Sequence, residues 1–299
     1  MGVIEKALEQ INEQQNAGLK DKTPKRRPRR ERLVLAKQSG NKKAANSSSV
    51  RASASNFTLP YTELESDGIF ETSGTRNKLS EEYRAIKRPI LAAIDNAKDS
   101  GLEHGNIVMV TSSISGEGKT FSAINLAISI AMERDRTVLL VDGDITNPSA
   151  GQRLGFHPTK PGLTDVLLDT FLNVNDVIYQ SDIPNLRFMP AGSAAKHVTE
   201  LLSSRDMHFM IESLSENYKD QVIIFDSAPM LMTSEASVVA DLAGQVVFVV
   251  GAETTTQGMV SDSLKKINNH SRVGFLLNKT RKKQNNIYGY GYGYGYNQN

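Results

Sequence analysis

SISGEGKTF, residues 113–121, follows the apolar run NIVMVTS (106–112) and opens the helical pattern KTFSAINLAISIAME (119–133). A strand, a small-residue loop and a helix in that order make a phosphate loop. Small residues let backbone N–H groups converge on an anion, and the helix N-terminus adds partial positive charge. Lys119 is placed to reach β/γ-phosphates, and the Thr120 hydroxyl to ligate Mg²⁺. The usual spacing is G-x-x-x-x-G-K-[ST]; Ser113 stands at its first glycine. The nucleotide-binding set expected from this loop is Ser113, Ser115, Gly116, Glu117, Gly118, Lys119, Thr120 and Phe121.

Outward from the loop, short β-branched apolar runs alternate with helical patterns. TVLLVDGD (137–144), LRFMPAG (186–192), QVIIFDSAP (221–229), QVVFVVGA (245–252) and VGFLLNK (273–279) read as strands, and HVTELLSSRDMHFMIESL (197–214) as a helix. Apolar strands separated by helices predict an α/β fold, a P-loop NTPase whose mostly parallel sheet is covered by helices on both faces. Ligands of such sheets bind at the carboxyl ends of the strands. Asp142, Asp144 and Asp226 all leave strands there, so three carboxylates should gather beside the phosphate loop. Asp226 reads as a Walker B acid holding Mg²⁺ through water, and Asp144 suits the same task. Upstream, LSEEYRAIKRPILAAIDNA (79–97) predicts a helix capped by Ser80 and kinked at Pro89.

The remaining chain divides by composition. Residues 1–16 read as an amphipathic helix with Ile4, Leu8 and Ile11 on one stripe; residues 17–78 as a disordered basic linker; 79–280 as the P-loop domain; 281–299 as a flexible tyrosine-rich tail. Between Lys20 and Lys43 the local charge is +9, against +2 for the whole chain, which leaves a mildly acidic body. That run suits anionic headgroups or plain solvation; no nucleic-acid partner is expected. The chain has no cysteine, which excludes disulfides and Cys-based metal sites, and its five histidines show no ligand spacing. No apolar run is long enough to span a membrane and none resembles a secretory leader, so the expected location is cytoplasmic.

The tail asks what the ATP site is for. Tyr288, Tyr290, Tyr292, Tyr294 and Tyr296 alternate with glycine and hold five of the nine tyrosines. Such a segment cannot build an ordered surface, yet it presents accessible phenols at low ordering cost. A phosphotransferase acting on tyrosine needs that, together with a carboxylate to take a proton from a phenol of pKa about 10. Asp142 is assigned that role, with Lys119 and Asp144 as the other catalytic residues and Thr120, Asp144 and Asp226 as metal ligands. A switch ATPase and a nucleotide-sensing scaffold are the alternatives.

From about Lys78 to the C-terminus these motifs resemble the bacterial tyrosine autokinases of capsule and exopolysaccharide export. The likeness is carried by the GKT loop, VLLVDGD, VIIFDSAP, GLTDVLL (162–168), PAGSAAKHVTELLSS (190–204) and the tyrosine cluster. NKLSEEYRAIKRP is most similar to the subgroup linked to exosortase gene clusters, and it places the family's E-x-x-R-x-x-R subunit-interface motif on Glu81, Arg84 and Lys87. Lys87 stands where arginine is commoner, and Thr146 where D-x-D-x-R expects arginine. Partition and cell-division ATPases carry a signature lysine at the position of Ile114 and lack such a tail. The resemblance implies ATP and Mg²⁺, self-association into a ring, a separate membrane-embedded activator of the chain-length-determinant type, and a phosphotyrosine phosphatase. It also implies a location peripheral to the inner membrane through that partner.

Overall fold

A computed structural model of the chain describes residues 56–69, 78–100, 104–157, 159–169, 171–217 and 220–281. The N-terminal helix expected over 1–16, the basic run and the five tail tyrosines lie outside the described residues.

Among the described residues seven strands form one sheet: β1 (Ile107–Ser112), β2 (Thr137–Asp142), β3 (Tyr179–Gln180), β4 (Leu186–Met189), β5 (Gln221–Asp226), β6 (Gln245–Gly251) and β7 (Val273–Asn278). Their order is β3-β4-β2-β5-β1-β6-β7, parallel throughout except for the edge pair β3–β4. Each central strand alternates between two buried clusters. Ile107, Met109, Leu139, Val141, Ile223 and Phe225 face one cluster; Val108, Val110, Val138, Leu140, Val222 and Ile224 face the other. That is a sheet covered on both faces, in which each large apolar side chain contributes about 1.5–3 kcal/mol by burial.

The helices are α1 (Tyr61–Ser66), α2 (Lys78–Ser100), α3 (Lys119–Ala131), α4 (Ala150–Arg153), α5 (Leu163–Leu168), α6 (Val198–Leu202), α7 (Arg205–Asn217), α8 (Glu235–Leu242) and α9 (Gln257–Leu264). The helix expected over 197–214 is two, because the Ser204 hydroxyl accepts from Met207 N at 3.2 Å and starts a new helix at Arg205. Helix α2 begins at Lys78 and runs through Pro89, so Ser80 sits inside the first turn instead of capping it.

Part of the stretch read as linker is folded. Leu59, Leu64 and Ile69 are buried with the α3 face of the sheet. Phe57 bridges to Ser181 beside β3 and packs edge-on against Phe156 at 5.2 Å. The folded body therefore reaches back at least to Asn56. Among the described residues no helix is long and apolar enough to cross a membrane.

Candidate nucleotide site

The phosphate loop leaves β1 and enters α3 at the carboxyl edge of the sheet. Gly116 and Gly118 adopt φ of +83° and +99°, a region that side chains with a Cβ avoid. At Gly118 the demand is double, since a Cβ there would overlap the Asn278 amide. The first N–H groups of α3 have no partner within the helix and point out of its N-terminus, as an anion site requires.

Register assembles the acids. Asp142 and Asp226 end β2 and β5 as directly paired residues, so their side chains share one face. Asp144 follows two residues after Asp142. All three are buried, and the Lys119 ammonium enters among them: Nζ lies 2.7 Å from Asp144 Oδ2 and 4.0 Å from Asp226 Oδ1. Three carboxylates against one ammonium leave a surplus of negative charge. Burial pushes Asp142 up to about 7, and the neighbouring Asp226 charge adds to the effect. Burial likewise raises Asp226 to about 6, with Lys119 opposing.

The two oxygens of Asp142 differ. Oδ2 accepts from Ala150 N at 3.0 Å and Gly151 N at 3.4 Å, which tethers the start of α4. Oδ1 has no hydrogen-bond partner, and neither oxygen of Asp226 has one; the Ser113 hydroxyl is similarly buried and unpaired. Thr120 Oγ1 lies 3.1 Å from Ser149 Oγ, a neighbour that nothing in the sequence singled out.

Among the described residues no three acids or histidines form a ready ligand cage. Mg²⁺ in phosphate sites does not need one: it takes one or two carboxylates, phosphate oxygens and water. Hard oxygen donors, orphaned carboxylate atoms and surplus negative charge fit such an ion at Thr120, Asp144 and Asp226.

The expected loop residues do not act alike. Ser115 and Gly116 are exposed at the mouth, Phe121 packs partly into the core, and Glu117 turns inward with 1% exposure. On α2, Glu81 and Arg84 pair with each other on the outer surface. Lys87 points the other way: Nζ lies 2.6 Å from both Glu133 Oε1 and the Ser129 carbonyl, at the end of α3.

The AAA domain family model matches residues 105–275. AmsA of Erwinia amylovora, a candidate tyrosine-protein kinase, is 33% identical over 211 residues, which is 70% of this chain and 28% of that protein. The tyrosine-protein kinase YwqD of Bacillus subtilis is 31% identical over 177 residues, 59% of this chain and 70% of that protein. Among solved structures, the kinase domain of the Escherichia coli tyrosine kinase ETK superposes with a TM-score of 0.58 at 25% identity, covering 79% of this chain and 93% of that one. The chain spans about a quarter of the length of the first curated relatives it matches.

Proposed function

We propose that this chain, which belongs to the AAA-domain proteins and to the tyrosine-protein kinase family, transfers the γ-phosphate of ATP to its own C-terminal tyrosines, Tyr288, Tyr290, Tyr292, Tyr294 and Tyr296. The observation that carries this reading is the free Asp142 Oδ1 inside a built phosphate site. A carboxylate held near 7 is matched to taking a proton at neutral pH.

In the proposed reaction a tyrosine Oη attacks the γ-phosphorus. The Oη–P bond forms, the bond from phosphorus to the β,γ-bridging oxygen breaks, and ADP leaves with that electron pair. The phenolic proton passes to Asp142 Oδ1. Lys119 exchanges its contact with Asp144 for the phosphate oxygens and offsets charge that develops on them. The N–H groups around Gly116 and Gly118 hold the phosphates in line. Thr120, Asp144 and Asp226 would hold Mg²⁺, which when bound would supply charge neutralisation on the phosphates.

The tail suits this chemistry as substrate. It starts just after β7, at the carboxyl edge that carries the loop, and its roughly 18 residues span about 20–25 Å r.m.s. as a coil. Each phosphate adds close to −2 charge, so an extensively phosphorylated tail is repelled from an acidic site. That favours release from a ring of subunits built through Glu81 and Arg84, with a phosphatase resetting the cycle. Regulation of exopolysaccharide export, a membrane-embedded activator on a separate chain, and a cytoplasmic location beside the inner membrane belong to the same proposal. They rest on the family resemblance.

The test is a phosphate balance on the full chain with Mg²⁺-ATP. Radiolabel from γ-³²P-ATP should enter the protein as phosphotyrosine and disappear when residues 282–299 are removed. Label recovered only as free phosphate would favour the switch ATPase.

A further inference from the structure

Glu117 sits inside the phosphate loop, yet its side chain points away from the mouth. It is buried to 1% exposure, and among the described residues its hydrogen-bond donors are backbone N–H, hydroxyl and amide groups. Its carboxylate is a junction. Oε2 accepts from Ile114 N at 2.7 Å, across the loop itself. Oε1 accepts from Gly251 N at 3.3 Å, at the end of β6, and from the Thr255 hydroxyl in the turn that follows it. The Glu117 carbonyl accepts from Asn278 Nδ2 at 2.9 Å, at the end of β7. Asn278 in turn accepts from Ala252 N through its own carbonyl at 2.8 Å, so the three strand ends are closed on one another. Gly251 N also donates to Thr255 Oγ1 at 3.0 Å, which orients that hydroxyl toward Glu117.

We infer that Glu117 is a positioning residue: its carboxylate fixes the curvature of the phosphate loop by tying it to the ends of β6 and β7, and it does not itself touch the nucleotide. The carboxylate accepts from three donors and needs none of its own. Glutamine matches its shape but turns an NH₂ toward the Ile114 or the Gly251 N–H, setting donor against donor. A loop that must hold several N–H groups on one anion is sensitive to such a shift. This inference rests on the loop being a nucleotide site.

The experiment is binding of a fluorescent ADP analogue with Mg²⁺ to the full chain, beside ATP KM and kcat for tail phosphorylation. Glu117→Gln should weaken analogue binding and raise KM about tenfold while kcat changes by less than about threefold, because the loop grips ground state and transition state alike. Thr255→Val, the milder variant, removes one donor and should weaken binding about threefold. Glu117→Asp keeps the charge and should lie between wild type and Glu117→Gln. Analogue affinity within twofold of wild type in both Glu117→Gln and Thr255→Val would overturn the inference, as would a loss confined to kcat. Wild-type protein that binds the analogue but makes no phosphotyrosine would remove the kinase reading and leave this inference to be decided by affinity. Wild-type protein that binds no analogue would overturn both.

Discussion

Among the described residues two lysines are buried, and they are used in opposite ways. Lys87, on the seam between α2 and α3, is 6% exposed and has all it needs: the Glu133 carboxylate and the Ser129 carbonyl, each at 2.6 Å. Glu133 reaches solvent, and its hydrogen bond to Lys87 holds its carboxyl below the usual range. That is one cation against one anion plus a neutral acceptor, a closed account that pins one helix to another. Lys119 is 8% exposed and sits in the reverse situation, one cation among three buried acids. Its surroundings retain carboxylate oxygens with no partner and two aspartates held near 6 and 7. The seam is satisfied and ties two helices together. The site is short of positive charge and therefore prepared for a ligand that brings some. Burial of a charge does not separate scaffold from site; incomplete satisfaction does.

The sharpest way to break the comparison is to remove each lysine. Lys119→Met should lower tail phosphorylation on the order of 10³-fold or more, measured as phosphotyrosine per chain. The melting temperature near neutral pH should change little, because Asp142 and Asp226, held near 7 and 6, can take up protons. Lys87→Met should do the reverse. It leaves the Ser129 carbonyl unpaired at a cost of about 1–3 kcal/mol, read as a lowered melting temperature, with affinity for ADP unchanged. Lys87 belongs to the motif that the family resemblance assigns to subunit contacts; within one chain it is a strut, so its loss should affect a ring only through the tilt of α2.

Asp142→Asn comes next. The amide keeps an acceptor for Ala150 and Gly151 but cannot take a proton, so kcat should fall about 10²–10⁴-fold while nucleotide affinity holds. A fall in affinity matching the fall in kcat would mean that the tether to α4, and not the proton, is what matters.

The pH profile is a smaller effect with a definite sign. In the nucleotide-free protein Asp142 titrates at about 7, so kcat/KM should rise with pH up to that region and then level. Stability should run the other way. Asp142 and Asp226 bind protons more tightly folded than unfolded, so their contribution is complete below about pH 4 and is lost as pH rises through about 6 and 7. Asp226→Asn should flatten that fall and raise the melting temperature of the nucleotide-free protein at pH 8, by about 2–4 °C per kcal/mol recovered. A melting temperature unaffected by this substitution at pH 8 would deny that the site is strained by its own charge.

The sequence made some of this legible and concealed the rest, for physical reasons. Six strands were readable because parallel strands are continuous apolar runs, largely buried in β1, β2, β4, β5 and β6 and only half-buried in β7; β3, two residues long and antiparallel at the edge, has no run to read. Residues 56–69 looked like linker because polar residues surround Phe57, Leu59, Leu64 and Ile69; the anchors are too sparsely spaced to show a period, and only the grooves that receive them reveal their use. In the site, the loop and three strand-end acids followed from spacing. Their division of labour did not. That Lys119 chooses Asp144, that Asp142 spends one oxygen on α4, and that Glu117 faces inward all depend on register and on partners far along the chain, such as Gly251 and Asn278.

The most direct test is to map phosphate by mass spectrometry on the full chain after incubation with Mg²⁺-ATP, alone and with the cytoplasmic segment of a chain-length-determinant activator, beside Lys119→Met and Asp142→Asn. Phosphate is expected on tyrosines between Tyr288 and Tyr296 in the wild type and should be lost in both variants. An unmodified tail in every wild-type sample, with ATP still consumed, would contradict the proposed reaction.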